Sequence, residues 1–131
     1  MATYVIDAPA AIELVAHGFT DPGAHALMAP TLLRSQTLSL LHEAVTDGRL
    51  APQIARERIE RIGSLPIRLL GDSRLRRTAW KVADELGWTG TYEAEYVALT
   101  KLHGDALITG DPKFARAVQG VIEVAPVDTL L

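Results

Sequence analysis

The sequence has no cysteine among its 131 residues, which excludes disulfides and thiolate metal sites. Its four histidines, His17, His25, His42 and His103, lie far apart. None makes a pair at helical ligand spacing, so a zinc site is not expected. No apolar run approaches membrane-spanning length. The opening MATYVIDAPA has no basic n-region and is broken by Asp7 and Pro9, so it does not read as a signal peptide. Internal repeats, low-complexity runs and linkers are lacking as well. The expectation is a cytoplasmic protein without a membrane partner. With 48% hydrophobic residues, the chain can build one full-sized core as a single domain over residues 1–131.

The net charge of −3 conceals an asymmetry. From Arg49 to Lys81 there are nine basic residues against three acids, a balance of +6, and the remainder has four against thirteen, or −9. A basic flank beside an acidic region could hold a polyanion against a metal site. The plainer reading of Glu57, Arg58, Glu60 and Arg61 is a solvated helix face.

Hydrophobic patterning predicts alternating strands and helices. Short apolar runs at Tyr4–Ile6, Ala26–Ala29, Ile67–Leu70, Ala106–Ile108 and Val121–Val124 read as strands. Helical spacing follows each of the first four. The expected inward faces are Ala10, Ala11, Leu14 and Val15; then Leu33, Leu40, Leu41 and Ala44 in a long helix opened by Pro30. Next come Ala55, Ile59 and Ile62 after Pro52, then Leu75, Ala79, Val82, Ala83 and Leu86. Ala94, Val97, Ala98 and Leu102 line a further helix that stops at Gly104. Such alternation predicts a mostly parallel central sheet flanked by helices with right-handed crossovers, the α/β class.

Three acids stand out by position. Asp7 follows the first strand, Asp111 follows the Ala106–Ile108 strand, and Glu93 sits in the first turn of a helix. Each has a purely structural explanation: Asp7 and Asp111 as N-caps, Glu93 as a complement to a helix dipole. In a parallel sheet, however, strand ends and helix N-termini gather at one edge, where ligands bind. Carboxylates brought together there repel and call for a cation, and oxygen ligands suit Mg2+ or Mn2+. Such clusters activate water for phosphodiester cleavage. Two other acidic α/β classes fit less well. A phosphorylation receiver needs an aspartate where Leu70-Gly71 stands, and a haloacid-dehalogenase-like phosphatase needs a second Asp where Pro9 stands.

The blocks Asp7-Ala8, the Pro30 helix, Tyr92-x-Ala94-x-Tyr96 with Ala98-Leu99, and Leu107-Ile108-Thr109-Gly110-Asp111 resemble a PIN domain, most closely a toxin ribonuclease of the VapC type. The resemblance spans nearly the whole chain, and its last two blocks are the most specific. It implies a PIN-like fold and Mg2+- or Mn2+-dependent RNA cleavage, together with inhibition by a cognate antitoxin and homodimerisation. Residue by residue, the family's first acid falls on Asp7 and its fourth on Asp111, with Thr109 as a hydroxyl at the site. The third, usually Asp, falls on Glu93. The second, usually Glu, falls on Gln36 in PTLLRSQTL. Glu95 is separated from Glu93 by about 200° of helical rotation and cannot share its direction.

The two departures leave two readings open. In the first, Asp7, Glu93 and Asp111 hold the metal and Gln36 positions a water. Glu93 adds a methylene, roughly 1.3 Å of reach, where Mg2+ prefers ligands near 2.0–2.1 Å. In the second, the chain is a weakened or inactive PIN-fold module that mainly binds an antitoxin-like protein or RNA.

Overall fold

Alternation of short apolar runs with amphipathic segments produces five strands and six helices. The structure, a computed structural model, describes residues 1–131. The strands are β1 (Thr3–Ile6), β2 (Ala26–Pro30), β3 (Ile67–Leu70), β4 (Ala106–Ile108) and β5 (Val124–Ala125). The helices are α1 (Ala8–Ala16), α2 (Leu32–Thr46), α3 (Pro52–Ser64), α4 (Ser73–Leu86), α5 (Tyr92–His103) and α6 (Pro112–Ala117). A 3-10 turn over Val127–Leu130 closes the chain. All strand pairs are parallel, in the order β3-β2-β1-β4-β5.

That order explains which strands are most buried. β1 and β4 lie inside the sheet, and Val5, Ile6, Leu107 and Ile108 are wholly enclosed. From β1 the chain steps outward to β2 and β3, then returns through α4 and α5 to β4 on the other side of β1. Right-handed crossovers in opposite directions cover opposite faces of the sheet. Accordingly α1, α2 and α3 pack together, while α4 packs on α5, which lies across β1, β2 and β4. One core cluster joins both layers, including Leu14, Leu27, Val97 and Leu99.

The expected inward faces of α1 and most of α4 and α5 are buried. Leu40 and Ile59 are not: they are 37% and 38% exposed. Helical spacing identifies a stripe, but packing covers only the part that a neighbouring element reaches. Two boundaries also move. Pro30 pairs with Leu70 at the end of β2, and Thr31 N–H donates to Leu70 O at 3.1 Å, so α2 starts at Leu32 rather than Pro30. Val121 and Ile122 donate to Val118 O at 3.0 and 3.3 Å, so they complete the turn after α6, and β5 begins at Val124 rather than Val121.

Gly110 is the contact that locks β4 to β1 beyond the strands. A Cβ there would lie 2.9 Å from the Pro9 carbonyl carbon and 3.0 Å from the Ala10 nitrogen. Backbone therefore packs on backbone, and no flexible side chain could yield. Gly110→Ala should destabilise the protein by about 1–3 kcal/mol, as overpacking generally does. Chemical denaturation of the two proteins measures it, and an unchanged midpoint would show that the two turns can separate freely.

Candidate active site at the β1–β4 switch point

The chain reverses its direction of travel across the sheet between β1 and β4. Loops leaving their carboxyl ends diverge there and leave a crevice, the usual ligand position in an open α/β sheet. Ile6 and Ile108 are register partners, so Asp7 and Thr109 emerge side by side. Asp7 N–H donates to Ile108 O at 3.2 Å and extends the ladder into the crevice.

Asp7 is buried, at 4% exposure, and is held at both oxygens. Its Oδ1 accepts from Ala10 N at 2.9 Å and Gly110 N at 3.2 Å, and its Oδ2 accepts from the Thr109 hydroxyl. The Thr109 Oγ1 in turn accepts from Asp111 N at 3.0 Å. Thr109 thus links the two acids from beneath. Burial raises the Asp7 carboxyl above its ordinary value, against the opposing pull of these three hydrogen bonds, and the charge of Asp111 adds to the rise.

Asp111 is half-buried and caps α6, with Oδ1 accepting from Lys113 N at 2.9 Å. Glu93, in the first turn of α5, is exposed. Partial desolvation and then the charge of Asp111 raise its carboxyl, while Lys113 lowers it. Asp7 and Asp111 are therefore N-caps as well as members of the crevice. Asp72 makes the same cap on α4, accepting from Leu75 N at 2.9 Å, but follows β3 at the sheet edge. Capping chemistry is common to all three; position at the switch point separates two of them.

Asp7, Glu93, Asp111 and Gln36 all line one cleft of about 260 Å3. Glu95 is not among its lining residues. Burial raises the Glu95 carboxyl, opposed by the charge of Arg76 on α4. Gln36 is half-buried, and its Oε1 accepts from the Tyr96 hydroxyl at 2.6 Å. That leaves the Gln36 amide nitrogen and one lone pair of its oxygen free to meet a ligand. Tyr96 is 2% exposed; burial and then the Asp7 charge hold its phenol far above the usual range, so it remains a neutral donor.

Sequence reasoning missed three polar members of the cleft wall: Tyr96 as a site residue, Ser39 and Glu43. Ser39 Oγ donates to Glu43 Oε2 at 2.9 Å. The signal for Glu43 was present, because seven residues after Gln36 return to nearly the same helical face, within about 20°. It brings a fourth carboxylate to the cleft wall, about two helical turns along α2 from Gln36.

The donor set is oxygen-rich and hard, which suits Mg2+ or Mn2+. Asp7 Oδ1 has both lone pairs engaged, so Oδ2 offers the remaining one; Asp111 Oδ2 is free of hydrogen bonds. No three acidic side chains are gathered closely enough around one point to hold an ion directly as they stand. A Mg2+ ion keeps several waters and needs only one or two carboxylates directly, a demand this set can meet.

No family model and no curated protein matches the chain. Among solved structures, it is similar to the crystal structure of PAE2754 from Pyrobaculum aerophilum, with a TM-score of 0.72 and 24% identity over 98% of this chain and 93% of that one. At this identity the likeness concerns the fold. No helix is long and apolar enough to cross a membrane.

Proposed function

We propose that the protein is a divalent-metal-dependent endoribonuclease of the PIN type, acting as the toxin of a type II toxin–antitoxin pair. The observation that carries the reading is the convergence of Asp7, Glu93 and Asp111 on one cleft at the switch point, with Gln36 on its wall. The sequence blocks around Tyr92 and Thr109 add the family resemblance, and from it come the RNA substrate, the cognate antitoxin and the homodimer. Excess acid in the cleft suits an antitoxin arginine, which pairs with carboxylates through two parallel hydrogen bonds.

Asp7, Asp111 and Glu93 would hold Mg2+ or Mn2+, partly through water. The ion supplies an acidified water and charge stabilisation at the leaving oxygen of a phosphodiester. The chain's own groups do the positioning. Asp7 is fixed by three hydrogen bonds and cannot rotate away. Tyr96 holds Gln36 by its oxygen, so that the amide N–H2 can donate to a phosphate oxygen or an incoming water. Lys113, within charge range of Glu93, offsets part of the acid excess at the rim.

A second reading, a PIN-fold module that binds an antitoxin-like protein or RNA with little turnover, is favoured by the spacing of the acids, no three of which close on one point. Gln36→Glu discriminates. Cation affinity follows ligand charge count. The substitution should tighten Mn2+ binding about tenfold and raise cleavage if Gln36 faces the ion, since tenfold corresponds to about 1.4 kcal/mol. Gln36→Ala should reduce activity only moderately. Calorimetric Mn2+ titration with a cleavage assay on mixed RNA oligonucleotides reads both, and unchanged affinity in Gln36→Glu would remove Gln36 from the metal's surroundings.

A further inference from the structure

Trp80, on α4, is the most exposed large apolar side chain after Met1, at 67%. Its ring packs against no other aromatic ring, and it takes no part in the core. Tryptophan is among the residue types most enriched at the centre of protein interfaces.

α4 turns Leu75, Ala79, Val82 and Ala83 to the core. Ser73, Arg77, Trp80 and Asp84 recur at intervals of four, three and four, and so share a stripe on the outer side. All four are exposed. Charge along this side is divided at the tryptophan. Arg74, Arg76 and Arg77 precede it, and Asp84 and Glu85 follow it. With Lys81 and the cap Asp72 counted, the helix carries four bases against three acids, so the face is split and not basic. Neither Arg77 nor Asp84 makes a salt bridge within the chain. A basic half, a central indole and an acidic half complement one another when the helix meets its own copy end for end.

We propose that α4 docks antiparallel on the α4 of a second copy of this chain, with the two Trp80 rings at the two-fold axis and Arg77 of each copy paired with Asp84 of the other. The proposal rests on the preceding reading only for the expectation of a homodimer; the face that forms it comes from α4 itself.

A two-fold contact sets one patch against its own copy, so every pair occurs twice. Arg77 lies one turn before Trp80, and Asp84 lies one turn after it. Antiparallel docking centred on Trp80 therefore brings each Arg77 opposite the other copy's Asp84, where a guanidinium can meet a carboxylate through two parallel hydrogen bonds. Lys81 adjoins Trp80 near the axis, within reach of the other copy's indole face, which attracts a cation. Parallel docking would set Arg77 on Arg77 and Asp84 on Asp84, and like charges oppose it. The indoles thus supply apolar burial, and the charges fix the orientation. One face of a 14-residue helix is smaller than the about 800 Å2 per partner of a tight complex, so the dimer should have micromolar affinity.

The test is sedimentation equilibrium of the whole protein at micromolar concentrations, in EDTA and without RNA. Wild type should show a monomer–dimer equilibrium. Trp80→Ala should weaken it at least about tenfold. Leu38→Ala, which removes another exposed side chain, on α2, should leave it unchanged. Arg77→Asp and Asp84→Arg, each alone, set like charges opposite one another and should be monomeric. Mixed in equal amounts, these two variants should form a heterodimer, because the first carries acids at both positions and the second bases at both. That recovery also shows that both variants fold. The proposal is overturned if wild type stays monomeric, if Trp80→Ala associates as tightly as wild type, or if the mixed charge variants do not associate. A dimer that behaves as predicted but cleaves no RNA in Mg2+ or Mn2+ would remove the ribonuclease reading and leave the contact. RNA cleavage by a protein whose self-association ignores Trp80 would do the reverse.

Discussion

Asp111→Asn should abolish metal-dependent RNA cleavage without unfolding the protein. The loss should be about 100-fold or more, because a catalytic ion contributes several kcal/mol and each 1.36 kcal/mol is tenfold. Asn caps a helix as well as Asp does, so the bond to Lys113 N survives and only charge at the site is lost. Asp72→Asn is the control: it makes the same change to the same kind of cap at the far strand, and activity should not respond. Asp7→Asn should abolish cleavage too; at neutral pH it relieves a buried charge but sets an amide N–H2 against the Thr109 hydroxyl, so stability should change by no more than about 1 kcal/mol. Burial raises the Asp7 carboxyl, so its ionisation opposes folding. Single-turnover cleavage and thermal melts of the four proteins measure both effects. Equal losses in Asp72→Asn and Asp111→Asn would reduce the acids to helix caps.

The second large effect concerns Thr109, the hydroxyl beneath both acids. Thr109→Val keeps the shape and removes the donor to Asp7 Oδ2 and the acceptor for Asp111 N. A buried carboxylate deprived of a hydrogen bond costs about 2–3 kcal/mol. The cost should depend on pH. In the wild type the folded-state carboxyl of Asp7 is already raised, and Thr109 is the strongest influence holding it down, so the variant's is raised further. The full penalty therefore applies where Asp7 is ionised in both proteins. It shrinks as pH falls through the raised values and Asp7 takes up a proton, first in the variant and then in the wild type. Denaturant melts from about pH 8 down into the ordinary carboxylate range would follow it. A penalty that stays constant with pH would mean that Thr109 supports packing and not the charge.

Much of this arrangement was legible in the sequence because local chemistry and topology agree. β3 and β4 match their apolar runs to the residue, and the alternation of elements led to the parallel sheet. The positions of Asp7 and Asp111 followed from strands ending on acids. What the chain could not disclose is which acid-ended strands become neighbours. Asp72 has the same local signature as Asp7, and only the order β3-β2-β1-β4-β5 separates them. The Tyr96–Gln36 bond spans 60 residues and joins α5 to α2, a meeting that no periodicity encodes. Glu43 differs in kind: the helical repeat alone brings residue 43 to the same wall as Gln36, so its place was legible once residue 36 was assigned to the cleft. Leu40 reads as core by spacing, but it lies where the acidic cleft opens and no element covers it.

The central claim is that Asp7, Glu93 and Asp111 together hold a divalent ion. Calorimetric titration of Mn2+ into wild type and into the Asp7→Asn/Asp111→Asn double variant tests it most directly. The account predicts a saturable isotherm in the wild type that disappears in the double variant, while both proteins melt cooperatively. Saturable binding of equal strength in both, or none in the wild type at millimolar Mn2+, would contradict it.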